Sequence, residues 1–462
     1  MKVIIVGCTH AGTITATQIL QNHPETEVTI YERNDNVSFL SCGIAVYLSG
    51  DVGNPDAMFY SSPEQLAAMG ATVHMQHNVT DIDPKTKTVT VTDLVTGETK
   101  TDHYDKLVDT TGSWPVIPPI EGVDGPHVYL CKNYHHAKEL FNVAKDAQRI
   151  VVIGGGYIGV ELVEAYTRQN KDVTLIDGSP RMLHKYFDRE YTDRIQQEFV
   201  DHGAHFAFDQ RVTGFENHEN GVTVKTDKGN YEADIAILCV GFRPNTDLLK
   251  GKVKMHDNGA IITNEYMQSS DPDIYAAGDS TAVHYNPTGK DAYIPLATNA
   301  IRQGTIVGTN LFGNTMRDMG TQSSSGLNLY GTTMVSSGLT LENAKEAGFD
   351  AAAVTVEDNY RPEFMPTTTP VLMTLVWDKK TRQILGGQFM SKHDVSQSAN
   401  IISLCIQDKH TIDYLAFVDM LFQPHFDRPF NYVNILGQAA VKKQAELEKI
   451  ITKKVRREKV FF

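Results

Sequence analysis

Short apolar runs, a glycine turn and a helical stretch follow one another at the start of the chain. Residues 3–6 are apolar, residues 7–12 form the turn, and a helical stretch reaches about Asn22 before a second apolar run ends at Glu32. This order predicts a βαβ unit, whose turn brings backbone N–H groups and a helix N-terminus to a pyrophosphate. Glu32 lies about 20 residues beyond the turn, where an acid accepts from a ribose hydroxyl. Thr9 replaces the middle glycine, so this copy of the motif is incomplete.

A second copy of the pattern is complete. The apolar run 150–153 leads into a turn, 154–159, that holds all three glycines, followed by a predicted helix over 160–170 and a strand ending at Asp177. Two such units predict two nucleotides bound at the same time, which is more specific than either motif alone. The alternative is that both turns only pack a helix on a strand.

Asp177 also bears on the choice of coenzyme. A carboxylate at this position accepts from a 2′-hydroxyl and repels a 2′-phosphate, which favours NADH over NADPH. Arg181 lies shortly downstream and argues in the other direction, because a cation attracts the phosphate. Glu161, in the first turn of the second helix, has two interpretations: it orients the nicotinamide amide, or it complements the helix dipole.

The segments between the two units also form a pair. Residues 107–115 and 235–244 each read as an apolar strand, a glycine and then a proline, which suits a chain that leaves one sheet for another domain. An internal duplication accounts for this similarity. The predicted domains are a first nucleotide-binding domain over 1–117 and 245–323, and a second over 118–244.

The pattern changes from about Ser324 to strands and helices without a nucleotide motif. The predicted strands are 327–335, 352–356, 371–377 and 384–390, and the predicted helices are 341–347, 395–407 and 411–421. The chain is therefore expected to be an α/β protein with two Rossmann-like domains and a C-terminal α+β domain over 324–462, which is a candidate interface domain.

The composition excludes several classes of protein. Apolar residues make up 41% of the chain and charged residues 21%, as in globular proteins, and the net charge of -14 argues against a nucleic-acid surface. No apolar run approaches the about 20 residues of a membrane span. The tail 442–462 is basic, with eight Lys or Arg against three Glu. A solvated helical extension is the favoured interpretation, ahead of a partner or membrane site.

Cys42 is the candidate for chemistry among the cysteines. It has no cysteine two or three residues away, so it would work alone, through sulfenic acid or a mixed disulfide with a small thiol. Residues 44–48 are predicted to start a helix, and a thiol at a helix N-terminus is expected to have a lowered pKa. The alternative is a buried structural cysteine. Packing is predicted for the other four, which have neither metal-site nor disulfide spacing and favour a reducing, cytoplasmic location: Cys8, Cys131, Cys239 and Cys405.

These motifs together resemble the FAD-dependent pyridine nucleotide-disulfide oxidoreductase superfamily. The resemblance is to its single-cysteine branch of NADH oxidases, NADH peroxidases and coenzyme A disulfide reductases, with the water-forming NADH oxidases most similar. It covers the whole chain. The stretches that carry it are 7–12, 38–43, 154–159, 274–279, 293–300 and 422–429.

The resemblance implies FAD in the first unit and NADH in the second. It places Glu32 on the adenosine ribose, Asp279 on the ribityl chain, and Ala297 and Thr298 beside the isoalloxazine. The full set of residues expected near FAD is Gly7, Thr9, His10, Ala11, Gly12, Glu32, Arg33, Ser41, Cys42, Val79, Thr110, Thr111, Gly112, Ser113, Lys132, Asp279, Ala297 and Thr298. The set expected near NADH is Gly154, Gly156, Tyr157, Ile158, Gly159, Asp177, Tyr186 and Gly241.

The resemblance also implies a homodimer, alone or as a dimer of dimers, in which Phe422 of one subunit reaches the active site of the other. No metal is expected. The predicted reaction takes electrons from two NADH through FAD to O₂ and yields two waters. Cys42 reduces the peroxide formed on the way, becomes sulfenic acid and is reset by the second NADH, with His10 as general acid.

Three other functions remain open at this point. An NADH peroxidase would use the same Cys42 and His10 but start from H₂O₂. A coenzyme A disulfide reductase would need cations for the phosphates of coenzyme A on the first helix, and residues 13–21 contain none. A flavin-bearing redox sensor would signal by conformation rather than by turnover.

Overall fold

The computed structural model of the chain describes residues 1–458, with side chains through residue 450. The chain forms two compact units. The first comprises residues 1–178, 203–284 and 291–320, and the second comprises 179–202, 285–290 and the chain from 321 onward. Both glycine turns lie in the first unit. The division into three domains stays a prediction.

The first glycine turn belongs to a parallel five-stranded sheet. In spatial order its strands are β18 (Ile274–Ala276), β7 (Lys106–Asp109), β1 (Lys2–Val6), β2 (Glu27–Glu32) and β3 (Thr72–Met75). Strands β1 and β7 are almost fully buried, as expected for a parallel sheet covered on both faces. Two helices pack against each other beside it, α1 (His10–Asn22) and α7 (Ala297–Asn310), and Thr15 donates to the carbonyl oxygen of Gly304 at 3.1 Å. The first predicted βαβ unit is confirmed.

The second glycine turn belongs to a parallel sheet of the same kind. In spatial order its strands are β12 (Ala204–Ala207), β11 (Asp172–Ile176), β10 (Arg149–Ile153), β16 (Ile235–Leu238) and β9 (Val128–Leu130). The helices around it are α4 (Tyr134–Asp146) and α5 (Tyr157–Thr167). Strand β1 lies between β2 and β7, and strand β10 lies in the same way between β11 and β16. This shared strand order agrees with an internal duplication.

Antiparallel strands accompany each parallel sheet. The first set is β4 (His77–Asp83), β5 (Thr88–Asp93) and β6 (Thr99–His103), and the second is β13 (Val212–His218), β14 (Gly221–Thr226) and β15 (Asn230–Ala233). The two crossovers pair with each other, because β8 (Ser113–Pro115) is antiparallel to β17 (Phe242–Pro244). The remaining short elements of the first unit and its border are α2 (Ile44–Leu48), α3 (Pro63–Ala68), β19 (Val283–Tyr285) and β20 (Lys290–Ala292).

The second unit is built on an antiparallel sheet. In spatial order its strands are β21 (Ser325–Leu329), β22 (Thr332–Gly338), β25 (Ile384–Ser391), β24 (Pro370–Asp378) and β23 (Ala351–Asn359). Its helices are α6 (Arg189–Asp201), α8 (Leu341–Glu346), α9 (Ser396–Gln407), α10 (Ile412–Phe417) and α11 (Tyr432–Glu458). The predicted α+β character of this region is confirmed.

Two predictions of local structure in this unit are wrong. The single strand over 327–335 is a hairpin, since Tyr330 and Gly331 both have positive φ, 49° and 76°, and form the two-residue turn between β21 and β22. The helix over 411–421 ends at Phe417, because Val418 leaves the helical conformation.

Helix α6 belongs to the second unit, although its sequence lies within the stretch 118–244. The Tyr191 hydroxyl donates to Gln388 O at 2.9 Å, and the Asp188 N–H donates to the side chain of Gln388 at 2.7 Å. These buried hydrogen bonds attach the helix to the antiparallel sheet.

Within the described residues, every helix is too short or too polar to serve as a membrane span. The same part of the chain contains no group of three or more His, Cys, Asp and Glu side chains arranged to hold a metal ion.

Candidate active site

The first glycine turn is shaped by close backbone contacts. Gly7 has φ +90°, and a Cβ atom there would lie 2.5 Å from Thr110 O. A Cβ on Gly12 would lie 2.1 Å from Gly7 O, and the Thr110 hydroxyl donates to Gly7 O at 2.7 Å. Glycine is therefore required at both positions. Thr9 ends the turn, and α1 begins at His10 with its N-terminus at the carboxyl edge of the sheet.

Glu32 is tied to this turn. The side chain is 3% exposed, and its carboxylate accepts from the Cys8 N–H at 2.6 Å and from the Asn34 N–H at 2.8 Å. Burial raises the pKa of the Glu32 carboxyl, and these hydrogen bonds oppose that shift. The acid thus lies beside the first glycine turn.

Three polar side chains from separate segments meet beside the first sheet: Ser113 begins β8, Lys132 follows β9, and Asp279 lies in the short helical turn after β18. Ser113 Oγ donates to Asp279 Oδ2 at 2.7 Å, and Lys132 Nζ lies 2.9 Å from Ser113 Oγ and 3.4 Å from Asp279 Oδ2. The Lys132 ammonium also lies 4.4 Å from the ring centroid of Phe242 on the crossover strand β17. Burial raises the pKa of the Tyr293 hydroxyl, and the negative charge of Asp279 raises it further.

His10 is held by a residue that the sequence analysis did not select. Its Nδ1 lies 2.9 Å from the Tyr60 hydroxyl, and the two rings are parallel within 3°. His10 Nε2 is buried and has no hydrogen-bond partner among the described residues. Burial lowers the pKa of the imidazole, while Asp279 raises it and Lys132 lowers it. The ring is therefore neutral at neutral pH.

Cys42 lies in the helical turn Ser41–Gly43 that precedes α2. Its side chain is exposed, but the atoms packed around the sulfur and the nearby carboxylate of Glu161 raise the pKa of the thiol, and Lys132 opposes them. The expectation of a lowered pKa is wrong for this reason: α2 has only five residues, and the local desolvation and negative charge outweigh its dipole. Burial likewise raises the pKa of Glu161, to about 7.

The second glycine turn has the same backbone contacts and one open side. Gly154 has φ +109°, and a Cβ atom there would lie 2.3 Å from Cys239 O; on Gly159 it would lie 1.8 Å from Gly154 O. A Cβ on Gly156 would meet no protein atom within 4 Å. Asp177 Oδ2 accepts from the Gly155 N–H at 2.5 Å. The turn therefore leaves space for a ligand next to Gly156 and has an acid at its side.

Comparisons with known proteins agree with this arrangement. Residues 1–304 match the family described as pyridine nucleotide-disulphide oxidoreductase, and residues 324–432 match its dimerisation domain. The chain belongs to this family. It is 58% identical to an NADH oxidase of Enterococcus faecalis strain V583, over 96% of this chain and 99% of that protein.

Among solved structures, the chain is similar to the water-forming NADH oxidase from Lactobacillus brevis bound to NADH. The identity is 62%, the TM-score is 0.96, and the match covers 96% of this chain and 99% of that one. A more distant relative is an NAD(P)H sulfur oxidoreductase (CoA-dependent) of Pyrococcus furiosus, 31% identical over 92% of this chain and 96% of that protein. The predicted family and fold class are confirmed.

The other residues expected near FAD in this oxidoreductase fold differ in their surroundings. Thr111 Oγ1 donates to Asp109 at 2.8 Å, and Arg33 lies over the Trp114 ring at 5.0 Å. Val79 is 5% exposed, and its side chain packs in the apolar core. The remaining members lie on the turns and helix ends already described or directly beside them: Ala11, Ser41, Gly112, Ala297 and Thr298.

The residues expected near NADH divide between the two units. Tyr157, Ile158 and Gly159 form the first turn of α5, and Gly241, with φ +106°, precedes the crossover strand β17. Tyr186 and Phe422 lie in the second unit of this oxidoreductase. The first unit therefore brings together Cys42, His10, Lys132 and Asp279, whereas Tyr186 and Phe422 belong to the second unit.

Sequence reasoning missed Tyr60 and Tyr293. Tyr60 lies in the loop between α2 and α3, where no periodic or glycine motif marks it. Tyr293 begins the stretch 293–300 that resembles the family, so the motif contained the signal although only Ala297 and Thr298 were selected from it.

Proposed function

We propose that this chain is a FAD-dependent NADH oxidase that reduces O₂ to water: 2 NADH + O₂ + 2 H⁺ give 2 NAD⁺ + 2 H₂O. The observation that carries the proposal is the single thiol of Cys42 in a protein with two dinucleotide turns. Without a resolving cysteine beside it, an oxidised Cys42 must be reduced by electrons from NADH. The identities of 58% and 62% to proteins named NADH oxidase support the same activity.

The residues of the first unit fit FAD. Gly7 and Gly12 allow the close backbone contacts that shape the first turn, and Glu32 accepts from the Cys8 N–H of that turn. The buried Nε2 of His10 has no partner within the described chain. Asp279 with Lys132 offers a paired acid and cation for the ribityl and isoalloxazine parts. FAD, when bound, supplies the transfer of electrons from NADH to O₂ and to oxidised Cys42.

Cys42 and His10 carry the protein's own chemistry. The sulfur attacks one oxygen of peroxide, the O–O bond breaks, and a proton from His10 turns the leaving hydroxide into water. Cys42 is left as sulfenic acid. Its return to the thiol consumes two electrons and two protons and releases a second water.

Asp177 makes NADH the preferred coenzyme. Its carboxylate caps the second turn through Gly155 N–H, where a 2′-phosphate would meet a like charge. Arg181 does not offset this, since its guanidinium donates to Phe187 O at 3.3 Å and His184 O at 3.5 Å and lies 3.8 Å from Glu342.

A homodimer fits the second unit. This unit contains the dimerisation-domain match and exposes large apolar side chains that a second copy would cover: Phe417, Leu421, Phe422 and Phe426. In this assembly Phe422 reaches the active site of the partner. A cytoplasmic location suits the chain because its five cysteines are all free.

The NADH:O₂ stoichiometry of the purified holoenzyme tests the function. Two NADH per O₂ supports water formation, and one per O₂ would contradict it. The Cys42→Ser variant is expected to consume one NADH per O₂ and to release H₂O₂, because the group that reduces peroxide is missing. If this variant still formed only water, the role of Cys42 would be wrong.

An NADH peroxidase is the second candidate, because Cys42 and His10 would perform the same peroxide reduction there. Consumption of H₂O₂ without consumption of O₂ would identify it. Coenzyme A disulfide reduction is less well supported, because helix α1 has no Lys or Arg for the coenzyme A phosphates. Rapid multiple turnover of NADH under air would exclude a redox sensor as the sole role.

A further inference from the structure

The hydroxyl of Tyr60 touches two groups of the first glycine turn. It lies 2.9 Å from His10 Nδ1 and 3.3 Å from the carbonyl oxygen of Thr9. The ring of Tyr60 lies parallel to the imidazole, with 5.7 Å between the centroids. Tyr60 therefore fixes both the position of the imidazole and its orientation relative to the turn.

Counting protons shows which form of the imidazole satisfies both contacts. A tyrosine hydroxyl has one proton to donate, and a carbonyl oxygen can only accept. Both contacts are hydrogen bonds only when the hydroxyl donates to Thr9 O and accepts from His10 Nδ1–H. If the hydroxyl instead donated to Nδ1, no proton would remain for Thr9 O. In the arrangement that satisfies both, Nε2 of the neutral ring has a lone pair.

The surroundings of His10 and Cys42 indicate a role for the lone pair on Nε2. Nε2 is buried and has no partner among the described residues, and burial keeps the imidazole neutral. The pKa of the Cys42 thiol is raised, so the thiol needs a base to become the nucleophilic thiolate. Lys132 Nζ lies 3.4 Å from Asp279 Oδ2, and the charges of this ion pair affect the pKa of both His10 and Cys42.

We propose that Tyr60 is a positioning residue that holds His10 in the Nδ1–H tautomer, so that Nε2 accepts the Cys42 proton and later delivers it to a peroxide oxygen. The proposal rests on the proposed function and deepens it. One proton and no electrons move in the first step: the Sγ–H bond breaks as the Nε2–H bond forms. In the second step the Nε2–H bond breaks as an O–H bond of water forms. His10 is thus a base before it is an acid.

The Tyr60→Phe variant removes the hydroxyl and keeps the ring. Tyr134→Phe is its matched control, because it makes the same chemical change at a hydroxyl that donates to Asp56 at 2.7 Å. Reduction of the bound flavin by NADH without oxygen is expected to be unchanged in both, since it needs no proton from His10. The fraction of O₂ released as H₂O₂ is expected to rise by about tenfold in Tyr60→Phe only, less than the about 100-fold effect of losing a general acid–base group, because His10 itself is kept. An equal rise in Tyr134→Phe would overturn the proposal.

The tautomer is measured directly by ¹⁵N NMR of the holoenzyme labelled in histidine. The His10 signals are those that disappear in His10→Gln. An unprotonated Nε2 is expected in the wild type and in Tyr134→Phe, and a mixture of tautomers in Tyr60→Phe. A protonated Nε2 in the wild type, or a Tyr60→Phe spectrum identical to the wild type, would overturn the proposal. If the wild type released all its O₂ as peroxide, the proposed function would fail, and this spectrum would still decide whether Tyr60 sets the tautomer.

Discussion

The two glycine turns share one backbone and differ at the residues that follow the first glycine. Gly7 and Gly154 both have positive φ. A Cβ atom added to either glycine would lie within 2.5 Å of a backbone carbonyl oxygen, that of Thr110 or that of Cys239. The first turn then has Thr9 and His10, and the second has glycine and Tyr157. The same fold element therefore holds a buried imidazole in one copy and an open face in the other.

The acids at the two turns differ in how far they are buried. Glu32 is buried and hydrogen-bonded to two backbone N–H groups, whereas Asp177 is only half-buried. A sealed acid suits a cofactor that stays bound, and an accessible one suits a coenzyme that binds and leaves in each cycle. The two turns therefore share one backbone geometry, while their acids differ in how far they are buried.

Adding one methyl group to either turn gives the largest expected effect. In Gly7→Ala and Gly154→Ala, the strained φ and the overlap with a carbonyl oxygen together cost about 3 kcal/mol, or about 100-fold in affinity. Gly7→Ala is expected to be purified without FAD, as measured by flavin absorbance. Gly154→Ala is expected to keep FAD and to raise the KM for NADH.

Gly156→Ala is the control for this pair, because its new methyl group meets no protein atom. Its melting temperature is expected to equal that of the wild type, and any loss is confined to NADH affinity. Loss of FAD from Gly154→Ala would break the assignment of one nucleotide to each turn.

The next test concerns Asp109. This residue has the same register position in the first sheet as Leu238 has in the second. Asp109 pairs with Val6 as Leu238 pairs with Ile153. Asp109 is fully buried, one of its oxygens has no partner within the described chain, and burial raises its pKa from 3.8 to about 6. The folded-state pKa lies above the unfolded value, so the buried Asp109 carboxylate destabilises the folded state. This loss of stability is absent below about pH 4 and complete above about pH 6.

The Asp109→Leu variant is therefore expected to be more stable than the wild type at pH 7.5, by about 3 kcal/mol for a two-unit pKa shift. The difference in melting temperature is expected to disappear as the pH falls through this window. Asp109→Asn keeps the acceptor for Thr111 and should lose the same pH dependence. A pH-independent difference would show that Leu acts through packing alone.

Asp177→Ser is expected to have the smallest effect. It removes the charge that repels a 2′-phosphate, and the ratio of kcat/KM for NADPH over NADH is expected to rise by about 10- to 100-fold, or 1.4 to 2.8 kcal/mol. Steady-state kinetics with each coenzyme measure it. Glu32→Gln is the control at the other turn and should leave the ratio unchanged. A similar change in both variants would contradict the assignment of NADH to the second turn.

The sequence predicted those parts of the fold that depend on neighbouring residues. The strands at residues 3–6 and 150–153, the glycine turns and the helices after them follow from apolar runs and from glycines at fixed spacing. The hairpin at Tyr330 was missed because apolar residues lie on both sides of Gly331 and that single glycine was not interpreted as a turn.

The candidate site was predicted where a motif supplied it and missed where contacts come from distant parts of the chain. Tyr60 meets His10 across 50 positions, and no local pattern reports such a contact. The pKa of Cys42 was predicted in the wrong direction for the same reason, since burial of the sulfur and the charge of Glu161 on α5 raise it, and neither is visible in the local sequence. Local patterns identify the reacting groups, but their protonation depends on the assembled surroundings.

The paired crossover strands have a consequence for how such a protein is built. Phe242 lies opposite Pro115 and Pro244 lies opposite Ser113, so the stretch between them begins and ends at neighbouring points. A segment whose two ends already touch can be exchanged for a related one without changing the span that the flanking chain must bridge. Strands β8 and β17 are therefore the borders for such an exchange, and the exchanged stretch has to keep helix α6, which is hydrogen-bonded to the second unit.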